Sequence, residues 1–283
     1  MARIAIIGGG SIGEALLSGL LRAGRQVKDL VVAEKHPDRA KQLADTYSVR
    51  VTSVADAADS ATYIIIAVKP ADVESVTGQI AETVARAEGQ SEEQVFVSVA
   101  AGVSTAFFEA KLPAGTPVIR VMPNAPMVVG GGVSAVAAGR FATPEQLKEV
   151  SGIFDAVGDV LTVAESQLDA VTAVSGSGPA YFFLMVEALV DAGVDAGLSR
   201  EVATELVVHT MAGSAAMLLD RRDNAPAGVM DTSATALRAV VTSPGGTTAA
   251  GLRELERGGL RSAVSDAIAA AKRRSEQLGI TSE

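Results

Sequence analysis

Two stretches of this sequence have residue types and spacing suited to a small charged ligand. The first, Gly8-Gly9-Gly10-Ser11-Ile12-Gly13, fits G-x-G-x-x-G. Gly8 permits a tight turn, Gly10 lets a pyrophosphate approach the backbone, and Gly13 lets helix and strand pack closely. About 20 residues on comes Glu34, where a dinucleotide fold places the side chain that reads a ribose. An acid there accepts hydrogen bonds from a 2′-hydroxyl and repels a 2′-phosphate. Lys35, His36 and Arg39 follow and could hold that phosphate if Glu34 turns aside. NADH and NADPH therefore both stay open.

Three further segments end apolar runs: Ala67-Val68-Lys69-Pro70, Val99 to Gly102, and Met122-Pro123-Asn124. Ligands in open α/β sheets sit at the carboxyl ends of strands, so these segments are expected to line the cofactor cleft. Lys69 is read as a phosphate or ribose contact rather than a catalytic group.

The second stretch, Ser243-Pro244-Gly245-Gly246-Thr247-Thr248, is a turn of small and hydroxyl residues ahead of a helical pattern, Ala249 to Arg257. Helix N-termini present unpaired N–H groups and partial positive charge, which attract anions. A Walker loop would add a lysine beside phosphates, and this loop has none. Thr248 could be an N-cap, a position where threonine is favoured. Ser175 and Ser177 sit among glycines just before a helix starting at Pro179. No cysteine occurs and there are only two histidines, His36 and His209. Thiolate chemistry is excluded, and no metal site is expected.

The elements that must hold these groups change character along the chain. Arg3–Ile7, Leu30–Ala33, Tyr63–Val68, Val95–Val99, Val118–Met122 and Val133–Val136 read as buried strands, and Asp159–Val163 as a possible last one. Helices are expected at Ser11–Arg22 and Asp38–Tyr47. Strands apolar on both faces and separated by helices indicate a parallel sheet covered on both sides. Thr143-Pro144-Glu145-Gln146 opens a helix with a capping box. From Glu165 onward the pattern is helical: Pro179–Ala196, Arg200–Leu219, Ala249–Arg257 and Leu260–Leu278. The expected division is an α/β dinucleotide-binding domain over 1–163 and an all-α domain over 164–283. Arg221–Ser233, with Pro226 and Gly228, reads as a mobile loop.

Composition narrows the partners. Of 283 residues, 48% are apolar and 20% charged, enough for a packed core. A net charge of −9 argues against nucleic acid. No signal peptide is read at Met1-Ala2-Arg3. The apolar stretch Ala180 to Val190 is interrupted by Glu187 and falls short of a membrane span. A soluble cytoplasmic protein is expected. Small and apolar positions in the helical half suggest a dimer.

With these residues in place, the chain strongly resembles the pyrroline-5-carboxylate reductase family. The resemblance runs through "IIGGGSIGEALLSGL" at Ile6, "AVKP" at Ala67, "VSVAAGVS" at Val97, "RVMPNAP" at Arg120, "VSGSGPAY" at Val174, and "VTSPGGTT" with "LRELERGGLRSAV" from Val241. It implies a Rossmann-like N-terminal domain and a helical dimerisation domain that interlocks with a partner; larger rings of dimers occur in the family. It also implies reduction of 1-pyrroline-5-carboxylate to L-proline by NADPH or NADH, inclining to NADPH. Thr248, matching the family's signature threonine, is implied to hydrogen-bond the ring nitrogen. Ser243, Gly245, Gly246 and Thr247 are implied to hold the carboxylate, with Ser175 and Ser177 beside the pocket.

Two alternatives compete. A β-hydroxyacid-type dehydrogenase would carry a catalytic lysine on a helix of the second domain, but Glu165 to Leu219 contains no lysine. A non-catalytic dinucleotide-binding module would leave the Ser243–Thr248 loop without a purpose.

Overall fold

The computed structural model describes residues 2–59, 61–86, 94–223 and 233–278. Eight strands form one sheet: β1 (Ile4–Ile7), β2 (Leu30–Ala33), β3 (Arg50–Thr52), β4 (Tyr63–Ile66), β5 (Val95–Ser98), β6 (Val118–Met122), β7 (Gly132–Ala138) and β8 (Gly158–Thr162). Their order is β3-β2-β1-β4-β5-β6-β7-β8. The chain winds outward from β1 in one direction to β3, then returns to start again at β4. The sheet therefore has a switch point between β1 and β4, where open α/β sheets bind ligands.

The pleat sorts the core. Ile4 and Ile6 of β1 join Leu30, Val32, Tyr63 and Ile65 on one face. Ala5 and Ile7 join Val31, Ala33, Ile64 and Ile66 on the other. Helix α1 (Ser11–Arg22) covers the first face with Leu16, Leu17 and Leu20. Helices α2 (Pro37–Tyr47) and α3 (Val54–Ala58) flank β3, and α4 (Pro70–Arg86) covers the second face with Val73, Val76 and Ile80. Each strand buried on both faces needs apolar residues at every position, which is why the runs read as continuous. The Tyr63 hydroxyl donates to Glu149, and burial beside that carboxylate holds the phenol above its ordinary value.

The sequence pattern suggests a parallel sheet, and the sheet departs from that at one pairing. β7 runs antiparallel to β6. Only 123–131 joins them, and that segment is too short for the helical crossover a parallel pair needs. α5 (Thr105–Lys111) precedes β6, and α6 (Pro144–Phe154) restores the parallel crossover to β8. The capping box opening α6 is present: Thr143 Oγ1 accepts from Gln146 N at 3.2 Å, and Gln146 Oε1 accepts from Thr143 N at 2.9 Å. β3 has no strand signal because it is three residues long and only half-buried at the sheet edge.

Beyond β8 the chain is helical: α7 (Leu168–Val171), α8 (Gly178–Asp195), α9 (Arg200–Asp223), α10 (Ser233–Val240), α11 (Thr247–Arg257) and α12 (Leu260–Leu278). α10 is absent from the sequence reading. The expected loop after Arg221 falls largely on 224–232, outside the described residues. Strands stop at Thr162, near the shift in composition. Compact packing groups 1–179 with 268–283, and 180–267 separately. In the second group α8 and α9 expose large apolar side chains, including Phe182, Phe183, Leu184 and Leu206. Residues 165–195 and 200–222 are long and apolar enough to cross a membrane by length and composition alone.

Candidate active site

The glycine-rich turn leaves β1 at Gly8, whose φ is +108°. A Cβ there would lie 2.6 Å from Ala67 O, so the turn presses directly on the end of β4. Gly8 N donates to Ala33 O at 2.8 Å, joining it to β2. A Cβ on Gly13 would lie 2.0 Å from Gly8 O, which is the close approach that seats α1 on the sheet. Gly10 has the opposite surroundings: nothing lies within 4 Å of where its Cβ would be. Gly10 caps α1 without a side-chain bond. The first N–H groups of α1 have no acceptor inside the helix, and the space beside Gly10 is open for a phosphate. These residues fit a dinucleotide.

A cleft of about 490 Å³ follows from this turn. Gly8, Gly10, Glu34, Lys35, Ala67, Val68 and Lys69 line it, as the sequence leads one to expect, and His36 does too. Thr52, Ser53, Asp72, Ser75 and Gln79 also line it. Sequence reasoning missed these because β3 carries no strand signal and α4 lies far along the chain. Ser11, Ile12, Gly13 and Pro70, also assigned to the cofactor, are not part of this lining. Ser11 borders a separate hollow with Glu14 and Tyr47. Ile12 packs on the core, Gly13 sits under Gly8, and Pro70 starts α4.

Glu34 is held at both oxygens. Oε2 accepts from Gly9 N at 2.9 Å, and Oε1 from His36 N at 2.8 Å. Arg39 is directed away from the cleft. Its Nε donates to Gly9 O at 2.8 Å and its second guanidinium nitrogen reaches Glu14 Oε2 at 2.5 Å. Lys35 Nζ pairs with Asp72 Oδ1 at 3.0 Å.

Asn124, at the end of β6, is a clamp. Its Oδ1 accepts from Val133 N at 2.9 Å, and its Nδ2 lies 3.4 Å from both Ser175 O and Ser175 Oγ. Ser175 sits in a wide turn, Thr172–Gly176, that ends as Ser177 N donates to Thr172 O at 2.8 Å. A second tie holds the same segment. Glu165 accepts from Thr105 N at 2.7 Å and Thr105 Oγ1 at 2.6 Å, and pairs with Arg120 at 3.5 Å. Sequence reasoning missed this triad, though a signal existed. Arg120 interrupts the apolar strand Val118–Met122 and is only 6% exposed, and a buried cation requires an acid.

The Ser243–Thr248 loop belongs to the helical unit. Gly246 N donates to Ser243 O at 3.0 Å, closing a turn, and Gly245 takes φ +71°. Gly246 is the N-cap of α11 and supplies no side-chain bond. Thr248 is therefore the second helical residue and not the cap, which corrects the capping alternative. Ser243, Thr247 and Thr248 are exposed. Among the described residues the Thr248 hydroxyl makes no hydrogen bond. Glu256 of α11 pairs with Arg261 at 2.9 Å and lies 3.9 Å from Arg238 of α10, so both flanks of the loop are tethered. His209 is exposed and pairs with Glu205 at 3.2 Å. Among the described residues no group of acids and histidines could hold a metal.

Comparison with known proteins is consistent with both halves. Residues 165–278 match a family model described as pyrroline-5-carboxylate reductase dimerisation. Residues 3–102 match one described as NADP oxidoreductase, coenzyme F420-dependent. A pyrroline-5-carboxylate reductase of Mycobacterium tuberculosis is 69% identical, covering 100% of this chain and 99% of its own. One from Mycobacterium leprae is 68% identical over the same shares. A solved pyrroline-5-carboxylate reductase of Coxiella burnetii superposes with a TM-score of 0.88 at 31% identity, covering 99% of both chains. One from Plasmodium falciparum, with NADP bound, gives 0.81 at 28% identity over 98% of both.

Proposed function

The chain belongs to the pyrroline-5-carboxylate reductase family, and we propose how its residues divide the work. It is an NAD(P)H-dependent oxidoreductase that reduces 1-pyrroline-5-carboxylate to L-proline, the last step of proline biosynthesis. We assign 1–163 to the dinucleotide and 164–283 to substrate and subunit contacts, in a cytoplasmic homodimer, with rings of dimers as a further level of assembly.

When bound, the reduced nicotinamide supplies the hydride that the imine carbon accepts. The chain's residues do the rest by position and charge. Gly8, Gly10 and the start of α1 cradle the phosphates. Ala67, Val68 and Lys69 line the cofactor's path, and Asn124 positions the Ser175–Ser177 turn beside the substrate. The carboxylate is held by Ser243, the backbone at Gly245 and Gly246, and Thr247. The observation that carries this is the N-terminus of α11, which Gly246 leaves without a side-chain cap. A carboxylate is the anion that such an end accommodates without a lysine.

Thr248 donates its hydroxyl to the ring nitrogen. A hydroxyl is too weak an acid to give up its proton, so Thr248 orients and polarises the imine. The substrate's own protonation makes it an iminium, a better hydride acceptor.

The test is absorbance loss at the reduced nicotinamide band with purified protein and racemic pyrroline-5-carboxylate, run with NADPH and NADH in parallel. Cofactor oxidation matched by proline formation is expected. Cofactor binding with no oxidation would replace this reading with the non-catalytic module.

A further inference from the structure

We propose that Glu34 is a fixed selector that makes this chain take NADH in preference to NADPH. The inference rests on reading the 490 Å³ cleft as the dinucleotide site. Its novelty lies in the immobility of the carboxylate. An acid at the end of β2 admits a 2′-phosphate only if it can swing aside. Glu34 cannot do so without leaving two backbone donors, Gly9 N and His36 N, that it satisfies with separate oxygens. Each carboxylate oxygen accepts more than one hydrogen bond, so both keep capacity for ribose hydroxyls.

The nearby cations do not offset it. Arg39, the best candidate for gripping a phosphate, has all three guanidinium nitrogens committed: to Gly9 O, Glu14 Oε2 and Gln42 Oε1. It does not line the cleft. Lys35 and Lys69 do, but so do Glu34 and Asp72, and Lys35 is already paired with Asp72. The lining thus has no surplus of positive charge apart from His36. A 2′-phosphate brings nearly two negative charges and would sit against Glu34. A 2′-hydroxyl meets an acceptor there.

Arg39 and Glu34 also grip opposite ends of one residue. Arg39 donates to Gly9 O while Glu34 accepts from Gly9 N. The selector is built into the glycine-rich turn itself, so moving it disturbs the phosphate cradle.

The experiment measures binding apart from turnover. Wild type and Glu34→Ser are titrated by calorimetry with 5′-AMP, adenosine 2′,5′-bisphosphate, NADH and NADPH, and melting temperatures are recorded for both proteins. Wild type is expected to bind NADH and 5′-AMP more tightly than their 2′-phosphorylated counterparts by about tenfold or more, the scale of one charge-assisted hydrogen bond. Glu34→Ser is expected to narrow or invert both ratios. Equal affinities, or tighter NADPH binding, in wild type overturn the proposal while leaving the cleft as the cofactor site. So does a folded Glu34→Ser protein that loses every ligand equally, since Glu34 would then serve only to hold Gly9. Failure of wild type to bind any of the four ligands overturns both the proposal and the cofactor reading beneath it.

Discussion

At the scale of single residues, Thr248 is where chemistry and structure separate most cleanly. It occupies the second position of α11 and is exposed, and Gly246 does the capping. Thr248→Val keeps the β-branched shape and removes only the hydroxyl, so α11 should form unchanged. If the hydroxyl polarises the ring nitrogen, kcat falls by on the order of 10²-fold, the cost of removing one such donor. The Kd for reduced cofactor, measured by nicotinamide fluorescence, stays within error. Normal turnover in the valine variant would remove Thr248 from the mechanism. Ser243→Ala should act differently. It takes away one hydrogen bond to a charged group, so KM for pyrroline-5-carboxylate rises by about tenfold or more while kcat changes less. That split separates a group that binds the carboxylate from one that acts on the imine.

At the scale of elements, the Glu165–Thr105–Arg120 tie anchors the chain between β8 and the Ser175 turn. Glu165→Ala leaves the Thr105 donors and a nearly buried guanidinium without their acceptor. The side chain of Glu165 is 29% exposed, so water offsets part of the loss. Stability should fall by about 1–3 kcal/mol. Urea unfolding would record this as a lower midpoint at unchanged slope. An unmoved midpoint would mean the tie contributes nothing measurable. This triad also marks the limit of what the sequence discloses. Ser11–Arg22 and Leu260–Leu278 are legible to the residue because periodicity and end signals are local. The glycine turn is legible because its spacing is local, although the contact that Gly8 answers to, Ala67 O at the end of β4, is not. Arg120 and Glu165 lie 45 residues apart, and Asn124 and Ser175 lie 51 apart. Nothing local specifies either pairing, so the sequence places Asn124 at a strand end beside the cofactor cleft but does not disclose its tie to Ser175. The reversal of β7 was latent in the short 123–131 connection. Apolar content alone conceals it, because most of β7 is buried like the central parallel strands.

At the scale of the whole molecule, the helical unit leaves large apolar side chains uncovered. Phe182, Phe183 and Leu184 are each more than 60% exposed, and α9 adds Val202, Leu206, Val208 and Met217. Contiguous exposure of this kind marks an interaction surface. Two partners suit it, a lipid bilayer or a second copy of the chain. The match of 165–278 to a dimerisation model favours the copy. A self-complementary interface buries such residues in pairs, each side chain contributing about 1.5–3 kcal/mol. Leu206→Glu would place an unpaired charge where an apolar contact belongs, twice per dimer by symmetry. Light scattering should find the wild type dimeric or larger at micromolar concentration, with a melting temperature that rises with protein concentration. The glutamate variant should shift toward monomer, with its dimer Kd weakened by about 10²-fold or more. A wild-type monomer that floats with neutral phospholipid vesicles would instead assign α8 and α9 to a membrane. Proline formation without vesicles, rising with the dimer fraction as protein concentration increases, would tie this apolar surface to catalysis.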